Sequence, residues 1–94
     1  MSDIIRESQI EAYLCKRVRE LGGLCYKFVS PGRSGVPDRI VVYSGSVYFV
    51  EVKSPTGVLT ALQEREHQVL RENGAVVTTV YSREGVDTLL RNVS

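Results

Sequence analysis

Two apolar runs, Arg39 to Tyr43 and Val47 to Lys53, meet around Ser44-Gly45-Ser46. A turn at these small residues folds the second run back on the first as a β-hairpin. Both runs are apolar at consecutive rather than alternate positions, which predicts a sheet covered on both faces. The hairpin also gathers charge. Asp38 opens the first strand and Glu51-Val52-Lys53 closes the second, so antiparallel pairing sets the aspartate nearly opposite Glu51 and Val52, although thirteen residues separate the two carboxylates.

The remaining chain supplies elements to cover such a sheet. From about Arg6 to Leu21, Ile10, Leu14, Val18 and Leu21 recur at three- and four-residue spacing, predicting a helix that Gly22-Gly23 ends. Leu24 to Val29 reads as a strand and Ser30 to Gly35 as a mobile connection. Beyond Pro55 and Gly57, Thr60-x-x-Gln63 forms a capping box for a second helix carrying Leu62, Val69 and Leu70, which Asn73-Gly74 terminates. Glu66 falls near the middle of that apolar stripe, with no reason for it visible in the sequence. Ala75 to Tyr81 reads as a last strand, and Ser82 caps a terminal helix carrying Val86, Leu89, Leu90 and Val93. The predicted order is α-β-β-β-α-β-α, an α/β fold with a central mixed sheet flanked by helices, in which a right-handed crossover returns the last strand to the sheet.

A chain of 94 residues makes one domain, residues 1–94, and a domain this small buries only a little over ~60% of its unfolded surface. Its stability margin is thin, so a second subunit would help. The hydrophobic fraction of 43% and charged fraction of 24% exclude disordered and fibrous classes. The longest apolar runs fall far short of the roughly 18 residues of a membrane span, and the N-terminus is polar, so a cytoplasmic location is expected. Cys15 and Cys25 lack a Cys-x-x-Cys spacing and read as reduced packing residues. Eleven acids nearly cancel twelve bases, yet Lys16, Arg17, Arg19, Lys27, Arg33, Arg39 and Lys53 all lie in the first part of the chain. They predict either one basic face or a solvated helix surface.

Asp38 and Glu51 supply oxygen ligands, and the Val52 carbonyl would add a third while its side chain packs inward. That donor set suits Mg²⁺ or Mn²⁺ and argues against zinc, because histidine and cysteine are absent from it. Lys53, two residues after Glu51, shares its strand face, where an ammonium would orient an attacking water and offset phosphate charge. The competing reading is a solvent-exposed lysine at a strand end. Together these groups outline metal-assisted phosphodiester hydrolysis. Arg33, in the glycine-containing connection, is a candidate phosphate contact, unless the segment merely connects two strands. The five tyrosines are scattered, and His67, the single histidine, reads as a helix residue rather than a base. No Ser-His-Asp arrangement, P-loop or organic-cofactor motif is present.

The sequence resembles the PD-(D/E)XK nuclease superfamily, and within it the small VRR-NUC domains of phages and DNA-repair enzymes. The resemblance runs from Glu7-Ser8-Gln9-Ile10-Glu11 through Lys27-Phe28-Val29-Ser30-Pro31-Gly32 and Gly35-Val36-Pro37-Asp38 to Glu51-Val52-Lys53 and Leu59-Thr60-Ala61-Leu62-Gln63. It implies a restriction-endonuclease-like fold and adds a glutamate of the first helix to the metal set, for which Glu11 is the matching position and Glu7 the rival. It also implies that Gln63 serves the catalytic site, whereas the capping box gives the same residue a structural reason. Lys27 matches a basic position that, with Arg33 and Arg39, would face DNA.

The expected activity is therefore a Mg²⁺- or Mn²⁺-dependent DNA endonuclease, with Asp38, Glu51, Lys53 and Gln63 catalytic and Glu11, Asp38, Glu51 and Val52 at the metal. Archaeal Holliday junction resolvases share the order of an early glutamate, Pro-Asp and Glu-x-Lys, which points to branched DNA and a homodimer, with flapped or plain duplex DNA as the second choice. The resemblance also fits a phage-encoded protein working in a host cytoplasm. The rival from another class is a non-cleaving nucleic-acid-binding or assembly module of the same fold. Converging carboxylates count against it, because they repel phosphate unless a cation bridges them.

Overall fold

The computed structural model describes residues 5–93. These form helices α1 (Glu7–Glu20), α2 (Ala61–Glu72) and α3 (Arg83–Asn92), and strands β1 (Leu24–Lys27), β2 (Arg39–Tyr43), β3 (Ser46–Val52) and β4 (Val76–Val80), in the predicted order. The sheet runs β1-β2-β3-β4, antiparallel across its first two pairings and parallel across β3 and β4. A parallel neighbour needs a long crossover, and the segment containing α2 provides it.

The hairpin closes through Ser44 and Gly45, whose φ angles of 55° and 80° place both in the left-handed region. Such a two-residue turn matches the twist of the strands it joins and locks Tyr43 opposite Ser46 and Arg39 opposite Val50. Continued by one residue, this register sets Asp38 opposite Glu51.

The core lies on one side of the sheet. Ile10, Leu14 and Val18 of α1, spaced one turn apart, are fully buried against Val41, Val50 and Val52, with Val86 and Leu90 of α3 completing the layer. Each such side chain contributes about 1.5–3 kcal/mol by leaving water. Tyr13 Oη donates to Asp87 at 2.9 Å, and Arg17 reaches the same carboxylate at 3.4 Å, which ties α1 to α3. Arg17 also pairs with Glu20 at 2.9 Å, so part of the expected basic face is neutralised within the fold.

The opposite face departs from the expectation of a fully covered sheet. There α2 packs against β4, while Leu24, Tyr26 and Val47, on the same face as Ile40, Val42 and Phe49, remain about half exposed. The apolar stripe expected of α2 is also different. Leu62 is 57% exposed, and the residues that α2 buries are Glu66 and His67. A polar pair occupies the position where a core stripe was expected because it meets charged groups rather than apolar ones.

Candidate active site

Asp38 stands at the entry to β2, held from both sides by the backbone. Its carbonyl accepts the Phe28 N–H at 2.9 Å, and its carboxylate Oδ2 accepts the Val52 N–H at 2.8 Å. The aspartate is thus fastened to the strand that carries Glu51 and Lys53. Gly35 fixes its approach: φ is +86°, and a Cβ there would lie 2.5 Å from the Leu62 carbonyl oxygen of α2. Arg33, two residues earlier, clasps Glu66 through bonds of 2.6, 2.9 and 3.0 Å. The segment expected to be a mobile connection is pinned to α2 at two points, and Glu66 has its reason: a buried carboxylate held by a guanidinium fork.

Glu51 is 2% exposed. Its Oε2 accepts from Gln63 Nε2 at 3.2 Å, and the same Gln63 closes the capping box, receiving the Thr60 N–H on Oε1 at 2.9 Å. The capping side chain thus also touches the buried Glu51 carboxylate. Glu51 Oε1 is buried without a hydrogen-bond partner, as are both ring nitrogens of His67. His67 Nε2 lies 3.5 Å from that oxygen, yet burial holds the imidazole below its ordinary pKa, so the two form no ion pair while it is neutral. Burial first, and then the neighbouring Asp38 carboxylate, push Glu51 up to about 8; Lys53 opposes the rise and Glu7 adds to it. Lys53 is anchored at the strand end, donating its N–H to the Val80 carbonyl at 3.0 Å.

Glu11 sits elsewhere. Its Oε2 accepts from Arg39 Nε at 2.7 Å and Lys27 Nζ at 3.3 Å. Alternation along β2 puts Arg39 on the face of Val41, the α1 side, whereas Glu51 and Lys53 share the α2 side with Phe49. Burial raises the Glu11 pKa, but the hydrogen bonds from Arg39 and Lys27 outweigh it and hold the carboxyl below its ordinary value. The structure therefore brings Asp38, Glu51, Lys53, Val52 and Gln63 together, with Glu7 in electrostatic reach, and groups Glu11, Lys27 and Arg39 across the sheet. Of the expected DNA contacts, Lys27 and Arg33 keep side chains 57% and 58% exposed beside their ion pairs, while Arg39 is largely enclosed.

The sequence placed His67 on the helix but did not show its approach to Glu51. The available signal was its spacing: four residues after Gln63, it lies one helical turn further along the same face.

Among the described residues, no three His, Cys, Asp or Glu side chains converge as a ready metal site. The carboxylate pair nonetheless fits a hard cation, because two acidic groups adjoin and one buried oxygen of Glu51 has no donor.

The VRR-NUC domain model matches residues 3–84. The chain belongs to the VRR-NUC family. A relative from Acyrthosiphon pisum secondary endosymbiont phage 1, named "Putative nuclease p44", is 48% identical over 82 residues, covering 86% of this chain and 88% of its own. A solved VRR-NUC domain structure superposes with a TM-score of 0.83 at 39% identity, covering 90% of this chain and 94% of the other. The chain is thus a VRR-NUC nuclease domain with the fold of that family, and the carboxylate pair lies within its matched span. No helix among the described residues of this VRR-NUC domain is long and apolar enough to cross a membrane.

Proposed function

We propose that this VRR-NUC domain is a divalent-metal-dependent, structure-specific DNA endonuclease acting on branched DNA such as Holliday junctions. The observation that carries this reading is the pairing of Asp38 with a buried Glu51 whose pKa is pushed up to about 8. Two adjoining carboxylates, one with an oxygen that lacks a donor, oppose each other's ionisation and are relieved by a cation. Asp38, Glu51 and the Val52 carbonyl would hold Mg²⁺ or Mn²⁺. Glu7 replaces Glu11 as the helix contribution in this proposal, because Glu7 acts on Glu51 while Glu11 is engaged by Arg39 and Lys27. The bound ion would polarise the phosphodiester and acidify a water.

The protein's own groups do the rest. Asp38, tied to the Val52 N–H, keeps its carboxylate aligned with β3. Gln63 orients Glu51 through Oε2. Lys53, at the open end of the same face, orients the attacking water and offsets charge on the phosphate. Arg33 and Lys27, half free beside their acidic partners, contact the DNA backbone, with Arg39 behind them. A homodimer acting in the cytoplasm completes the proposal, and the half-exposed Leu24, Tyr26 and Val47 on the uncovered sheet face support a second copy.

The test incubates the protein with labelled four-way junction, flap and plain duplex under Mg²⁺, Mn²⁺ or chelator. Junction cleavage with either metal, abolished by chelator and by Asp38→Asn, is the expected result. Binding without cleavage under every metal condition would instead identify a non-catalytic module.

A further inference from the structure

We propose that Cys15 and Cys25 form a dithiol site that a small-molecule disulfide oxidises to an intramolecular crosslink, fastening α1 to β1. The two Sγ atoms lie 2.9 Å apart, less than about 1 Å beyond the ~2.05 Å of a bond, so little movement separates contact from bonding. They belong to different elements, and each is only partly buried, which leaves them open to a small reagent. Cys15 lies one turn after Glu11 on α1, and Cys25 lies two residues before Lys27 on β1. The crosslink would therefore run beside the existing Glu11–Lys27 ion pair and reinforce the same contact.

The exchange balances with oxidised glutathione as the co-reactant. The Cys15 thiolate attacks one glutathione sulfur and expels the other half as a thiolate, leaving a mixed disulfide on Cys15. Cys25 then gives up its proton to a released thiolate, attacks the Cys15 sulfur and expels the second glutathione. Two protein thiols are oxidised and one glutathione disulfide is reduced to two thiols. Burial and the hydrogen bond with Cys15 push the Cys25 thiol up to about 12, which makes Cys25 the resolving rather than the attacking sulfur.

The experiment equilibrates the full chain in glutathione buffers of increasing oxidised fraction, then traps free thiols under denaturing conditions for intact-mass analysis. The expected product is a monomer that has lost both thiols and carries no glutathione. Its melting midpoint should rise by roughly 5–10 °C and return to the starting value with dithiothreitol. Cys25→Ala should stop at a single glutathione adduct without that rise, and Cys15→Ser should leave Cys25 unmodified. Two thiols surviving at every ratio, or a product consisting of adducts or intermolecular dimers, would overturn the proposal.

Discussion

Glu11 and Glu51 are the same side chain on opposite sides of one sheet, the first on α1 and the second on β3, and their surroundings drive them in opposite directions. Glu11 reaches from α1 to the sheet, where Arg39 and Lys27 grip it and its carboxyl ionises more readily than usual. Glu51 faces α2, buried beside a second carboxylate with one oxygen unpaired, and its pKa is pushed up to about 8. The first arrangement is satisfied and holds the fold together. The second costs stability while nothing offsets the buried charge, as the proposed metal site requires.

The sharpest test of this contrast is loss of cleavage. Asp38→Asn removes one charge of the pair while keeping its shape, and should lower the cleavage rate by roughly 10³-fold or more with little change in melting temperature. Paired substitutions then separate the two helix glutamates. Glu7→Gln should reduce metal-dependent cleavage by about 10–100-fold, measured as a rightward shift in the metal titration. Glu11→Gln should leave cleavage within a few-fold but destabilise the fold by about 1–3 kcal/mol in urea unfolding, because Arg39 loses its charged partner. The reverse pattern would return the ligand role to Glu11.

Arg33→Ala should destabilise by about 1–2 kcal/mol, since it leaves the buried Glu66 carboxylate without its fork. A normal melting curve for that variant would show that the loop is held by Gly35 and Leu62 alone. A pH series reads the carboxylate pair directly. Glu51 binds its proton more tightly folded than unfolded, so its contribution is fully present below about 4.5 and is lost as pH rises through about 8. Metal-free protein should therefore lose stability across that window, and Mg²⁺ or Mn²⁺ should restore it at the alkaline end. A flat metal-free profile in chemical denaturation would remove the evidence for a strained pair.

Much of the architecture was legible from local patterns. The Ile10, Leu14, Val18 stripe, the Thr60–Gln63 capping box and the Ser82 cap rest on interactions within a few residues, and each appears where periodicity placed it. The α2 stripe misled because Glu66 and His67 are buried by partners distant in sequence, Arg33 and Glu51, which helical spacing does not reveal. The connection from Ser30 to Gly35 read as mobile for the same reason. Its restraints come from Leu62 and Glu66, some thirty residues further on.

From the amino-acid order alone came the element sequence, the hairpin and the meeting of Asp38 with Glu51, because a tight turn and a two-residue strand period leave little freedom in register. Which sheet face each helix covers belongs to the packed molecule. That choice decides that Glu11 is matched by Arg39 and Lys27 while Glu51 is left beside Asp38 with an unpaired oxygen. Helix placement over a sheet depends on how distant apolar surfaces fit together, and no local pattern encodes it.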